Sequence, residues 1–142
     1  MHGTFVNKSP HIEFNIWGIN KSVAQKYIGL IDTGFNGYLV IPYALAFPLG
    51  LALIGTESST LADGSTVTSL VCIGQVELCG ITVPTTVSVQ SGNSILIGTQ
   101  LLERIGKDLH IDFIDGKVEF KERPKPTPPT PPKTNSENPP KK

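Results

Sequence analysis

The chain has 142 residues, 39% of them hydrophobic, and a formal net charge of zero, which suffices for one packed domain and excludes a two-lobed enzyme. The neutrality hides a split, because Lys125, Lys133, Lys141 and Lys142 face only Glu137 in the last stretch, leaving a mildly acidic body and a basic tail. Aromatics are only 7% and no basic patch interleaves with them, so no nucleic-acid partner is expected. The start lacks a leader's charged and apolar runs and no apolar stretch approaches bilayer length, so no membrane partner is expected either, and the expected location is cytoplasmic.

In chain order, short strand-like runs alternate with turn residues. They are Ile12 to Trp17, Val23 to Ile31, Tyr38 to Ile41, Ile54 to Leu61, Thr66 to Leu78, Ile81 to Val89, Ile95 to Ile97, Leu109 to Ile114 and Lys117 to Phe120. Their β-branched content and spacing predict a mainly β protein. Asn36-Gly37, Asp63-Gly64 and Asp115-Gly116 mark turns, the last two in the manner of tight hairpins. Helix is expected in two places: a short piece opened by Pro42 and stopped near Gly50, and Thr99 to Ile105, which Gly106 ends.

From Pro124 to Lys142 proline is the only apolar side chain, which predicts a solvated, polyproline-like tail on a domain of residues 1–123. Cys72 and Cys79 are the only cysteines. On one strand, at about 3.3 Å per residue, they lie beyond disulfide reach, so free thiols are expected. With His2, His11 and His110 scattered, no metal-ligand spacing appears.

The chemistry-bearing feature is Asp32-Thr33-Gly34. Asp32 ends the apolar run Tyr27-Ile-Gly-Leu-Ile, and Phe35-Asn36-Gly37 follows, so a core strand delivers a carboxylate into a tight turn. An Asp beside Gly ordinarily does no more than accept the amides of its own turn. A second feature sets this one apart: Ile95-Leu96-Ile97 stops at Gly98 and passes directly into the amphipathic Thr99-Gln-Leu-Leu-Glu-Arg-Ile. Among the other acids, Asp108, Asp112 and Asp115 read as the solvent face or turn of a period-2 strand. His110 near Asp112 makes no hydrolase triad, since no nucleophile elbow is present.

Taken together, Asp32-Thr33-Gly34, a hairpin about 30 residues on, a long strand pair, and Gly98 leading into Leu101-Leu102 resemble the retropepsin-like aspartic proteases, the single-domain retroviral-type branch of clan AA. The small microbial members with an Asp-Thr-Gly-Phe-x-Gly sequence are the nearest in pattern. The resemblance spans Ile12 to Phe113. It implies a closed, β-barrel-like acid protease fold with one short helix in the C-terminal half. It also implies a homodimer in which Asp32 meets its twin, Thr33 bonds across the subunits, Gly34 admits substrate to the backbone, and Gly98 packs on the turn. An extended peptide is the implied substrate, hydrolysed by water without metal or organic cofactor.

The hairpin at Ala62, Asp63, Gly64 and Ser65 is the expected flap, and Val40 and Ile97 are candidate subsite or core residues. The alternative function is a non-catalytic dimeric peptide-binding module on the same fold. Two positions depart from the retroviral pattern: an acidic residue and an arginine that pair to brace the dimer are replaced by Asn36 and Thr99. Phe35 is also bulkier than the small residue usual there, which is expected to narrow a subsite. The chain also continues past the expected last strand into the hairpin of Asp115-Gly116.

Overall fold

The computed structural model describes residues 1–19 and 24–124. The expected strand start at Val23 and the proline-rich tail past Pro124 lie outside them. Strands dominate because most apolar side chains recur with period 2. On β2 (Ser9–Trp17), Ile12, Phe14 and Ile16 are buried while Glu13 and Asn15 are partly exposed. On β10 (Lys117–Lys121), Val118 and Phe120 point inward between lysines.

The remaining strands are β1 (His2–Val6), β3 (Ala24–Ile31), β4 (Leu39–Pro42), β5 (Ala52–Thr60), β6 (Thr66–Leu78), β7 (Ile81–Gln90), β8 (Leu96–Ile97) and β9 (Asp108–Asp112). Two short helices, α1 (Tyr43–Ala46) and α2 (Thr99–Ile105), complete the fold with a 3-10 turn at Phe47–Leu49. All ten strands form one sheet in the order β5-β6-β7-β4-β8-β3-β2-β1-β10-β9, and β2 pairs a second time, with β6, through Ile16 opposite Val76. The core lies between these strands, with Leu39, Ile41, Val87, Ile97 and Leu101 at its centre.

Several boundaries differ from the sequence expectation for identifiable reasons. The strand expected from Ile12 begins at Ser9, and His2–Val6 forms an additional strand between β2 and β10. The two are joined by Asn7 and Lys8, both at positive φ, as a two-residue hairpin turn of the primed kind requires. The β9–β10 connection is not a two-residue turn. Asp112 Oδ1 accepts the amides of Ile114 (2.9 Å) and Asp115 (3.0 Å), which ends β9 early and leaves Ile114 94% exposed. The β6–β7 connection takes the tight form instead, with Cys79 and Gly80 at φ 56° and 76° between the paired Leu78 and Ile81. Cys72 is therefore on β6 and Cys79 in a turn, both free thiols, and burial pushes both upward from the ordinary thiol range.

Candidate active site

Strand β8 is only two residues long, yet it sits between two others. It runs parallel to β3, with Leu30 and Ile31 opposite Leu96 and Ile97, and antiparallel to β4, with Leu39 opposite Ile97. The Leu30 amide donates to the Ile95 carbonyl (2.9 Å) and the Asp32 amide to the Ile97 carbonyl (3.0 Å). Asp32 is thus anchored through its own backbone at the point where β3 stops.

The turn after it closes on itself. The Phe35 amide donates to the Asp32 carbonyl (3.1 Å), and the Gly34 amide donates to Asp32 Oδ1 (3.0 Å). Asp32 Oδ2 accepts no hydrogen bond from the described residues. Asp32 is half-buried, while Thr33 and Gly34 are exposed. One carboxylate oxygen is therefore fixed by the turn, and the other is free of hydrogen bonds from the described residues.

Gly98 locks the turn from behind. Its amide donates to the Tyr38 carbonyl (2.9 Å), the Thr99 amide to the Phe35 carbonyl (2.9 Å) and the Gln100 amide to the Gly37 carbonyl (3.1 Å). A Cβ at position 98 would run into the Gly37 carbonyl oxygen and stand 2.8 Å from Phe35 Cδ2, and one at position 37 would stand 2.6 Å from the Phe35 ring. The ring occupies the space that two glycines leave open. The first residues of α2 thus spend their otherwise unpaired amides on the turn carbonyls, a role open to any helix start. Below them Leu101 and Ile105 anchor the helix in the core, and Gly106 ends it at φ 74°. Arg104, in the last turn, donates to the Pro84 carbonyl (3.3 Å) and lies 5.8 Å over the Tyr38 ring.

The β5–β6 hairpin arches beside this turn. At its tip the Ser65 amide (2.9 Å) and Ser65 Oγ (2.6 Å) both donate to Asp63 Oδ1, and the Leu61 amide donates to the Ser65 carbonyl (2.8 Å). These bonds hold the Asp63 carboxyl below its ordinary range. Ala62, Asp63, Gly64 and Ser65 are all exposed. Between hairpin, β7 and the Asp32 turn lies a cleft of about 480 Å³, lined by Phe35, Gly37, Tyr38 and Val40 on one side and Leu61, Val67 and Val71 on the other. Val40 faces this cleft, whereas Ile97 is fully enclosed in the core. A larger hollow of about 860 Å³ over β1, β9 and β10 includes no residue of the Asp32 turn; the smaller cleft takes Phe35 and Gly37 from it, while Asp32, Thr33 and Gly34 are not among its lining residues.

No family model matches the chain and no curated protein does. Solved structures do. The EIAV protease complexed with the inhibitor HBY-793 superposes with a TM-score of 0.56 at 18% identity, over 75% of this chain and 96% of that one. The chain has a retroviral-protease fold. At this identity the likeness fixes the architecture, and the residues described above must carry any further reading. No helix among the described residues is long and apolar enough to cross a membrane.

Proposed function

We propose that this protein is an aspartic-type endopeptidase, active as a homodimer in which the Asp32 turns of two subunits face one another. The observation that carries the reading is the carboxylate of Asp32, held at one oxygen by Gly34, open at the other, and braced from behind by Gly98 on a retroviral-protease fold. One such carboxylate per chain makes chemical sense only with a twin. In this reading residues 1–123 form the protease domain, its strands β6, β7, β4, β8, β3 and β2 closing as a barrel-like ring, and 124–142 a tether.

Two carboxyls about 3 Å apart cannot both ionise, so the pair shares one proton across a broad acidic range. The ionised member takes a proton from a water held between the two. That water attacks the scissile carbonyl while the protonated member donates to its oxygen, and the amine departs protonated with no covalent intermediate. Thr33, exposed on the turn, is suited to bond across the subunits, and Gly34 lets the peptide approach the backbone. An extended peptide lies in the cleft as an added strand, its alternate side chains meeting the apolar walls. The hairpin tip at Ala62, Asp63, Gly64 and Ser65 closes over it and excludes water.

The test is cleavage of an unfolded protein or peptide library by the purified dimer. Asp32→Asn is expected to abolish cleavage, with sedimentation showing the dimer intact. Residual cleavage by Asp32→Asn refutes the mechanism. A wild-type protein that binds extended peptides and never cuts them leaves the peptide-binding module as the function.

A further inference from the structure

Glu57 is the one charged side chain among the residues lining the cleft. It stands on β5 opposite Ser69 of β6, and Ser69 Oγ donates to Gln90 Oε1 at 2.9 Å, so a polar row crosses the cleft from Glu57 to β7. Four acids elsewhere form ion pairs: Glu13 with Lys26, Glu119 with Lys121, Glu122 with Lys107 and Asp108 with Arg123. Glu57 forms no ion pair among the described residues.

Glu57 is exposed on the edge strand, yet it stands on the cleft side of the hairpin. The opposite face of the hairpin carries Thr56, Ser58 and Thr60 on β5 against Leu70, Thr68 and Thr66 on β6, with no charge at all. The side turned away from the cleft is uncharged, and the single carboxylate is on the side that faces it. Beside it the walls are Val40, Leu61, Val67, Val71 and Leu96. A side chain with an apolar stem and a cationic head satisfies both parts, since lysine and arginine lay their methylenes on apolar surface and hold the charge at the end. Arginine adds a fork that matches a carboxylate in two bonds.

We propose that the cleft selects extended peptides bearing lysine or arginine at the position that meets Glu57. Two such positions, one on each side of the scissile bond, follow if two subunits grip one peptide. This rests on the peptide-cleft reading above but not on catalysis. A carboxylate turned inward on an edge strand can also serve only to prevent strand-to-strand association, and exchange of the charge separates the two roles.

The experiment measures binding to the Asp32→Asn protein of two peptides that differ only in lysine or norleucine, which share a stem and differ in charge. The position is scanned along the peptide, and titrations are run at low and at high salt. The lysine peptide is expected to bind about fivefold more tightly at one or two positions, and less so as salt rises. Glu57→Gln in that background removes the difference, and Glu57→Lys inverts it in favour of a glutamate peptide. Equal binding of lysine and norleucine at every position overturns the proposal, as does a lysine advantage that survives Glu57→Gln or no binding by any peptide. Wild-type cleavage is assayed separately: lysine-selective binding without cleavage sinks the protease reading and leaves this one standing.

Discussion

Gly98→Ala puts one methyl where the fold has room for none. The added carbon would collide with the Gly37 carbonyl oxygen and lie 2.7 Å from Gly37 C and 2.8 Å from Phe35 Cδ2. Two of those atoms are backbone, so no rotamer change relieves the contact, and the turn must move away from α2. Overpacking of this sort costs about 1–3 kcal/mol. Displacement also lengthens the three amide-to-carbonyl bonds from Gly98, Thr99 and Gln100, each worth about 1 kcal/mol net. A total of about 3 kcal/mol follows, or a melting temperature lower by about 10 °C. Because the same bonds position Asp32, peptide cleavage should fall at least ~100-fold, the scale of loss for a misplacement of about 1 Å. Gly55→Ala is the control, since a Cβ there meets nothing within 4 Å, and it should stay within about 0.5 kcal/mol of wild type. Urea denaturation of the three proteins, followed by initial rates on one peptide, reads both effects. A Gly98→Ala protein as stable as Gly55→Ala refutes the packing argument; one that is destabilised yet fully active refutes the link from Gly98 to the carboxylate.

Three further outcomes follow from single side chains. Phe35→Ala empties the space between Gly37 and Gly98 and, the ring being half-buried, should cost about 2 kcal/mol in urea unfolding, with larger side chains then accepted in the cleft; unchanged stability would show that the ring does not buttress the turn. The Asp63 carboxyl is held low by Ser65, so its cap is complete above the ordinary carboxylate range and is lost only as pH falls through the lowered value. The hairpin tip should therefore keep this cap through the mildly acidic range, where the proposed aspartate pair would need its cover. A Ser65 amide signal that titrates at or above pH about 4 contradicts this. Tyr27 Oη donates to the Leu45 carbonyl at 2.7 Å and burial raises its pKa, so its contribution is whole below pH about 10 and fades as pH climbs through the raised value. Tyr27→Phe should lower stability by about 1 kcal/mol at neutral pH and flatten the alkaline limb of the stability profile, both read by denaturation at several pH values.

The Asp32 turn was legible in the sequence because each local signal agreed: an apolar strand, a carboxylate, small turn residues, and later a strand halted by a glycine that opens a helix. What could not be read was set by contacts distant in sequence. His2–Val6 brings only Gly3 and Phe5 to its partly buried face, and it is a strand because β2 and β10 supply partners on both sides. Phe113 and Ile114 look like strand residues, but the carboxylate of Asp112 captures the amides that a longer strand would have paired. Glu57 faces the cleft because register sets it opposite Ser69, and a one-residue slip would turn it to the other face of the hairpin.

The two departures from the retroviral pattern find a physical reading in the same turn. Where the arginine of that pattern would reach for an acidic partner, Thr99 directs its amide (2.9 Å) and its Oγ1 (3.4 Å) to the carbonyl of Phe35 in its own chain. Where the acidic residue would stand, Asn36 is exposed. The large ring of Phe35, in place of a small residue, fills the gap against Gly98. In this chain main-chain hydrogen bonds and packing, without an ion pair at these positions, hold the turn. A surface ion pair weakens with salt, whereas neutral bonds backed by a close-packed ring do not, so the geometry of the Asp32 turn is decoupled from ionic strength. It also needs no second chain: the hydrogen bonds and packing that hold Asp32 and its turn in place all lie within this one.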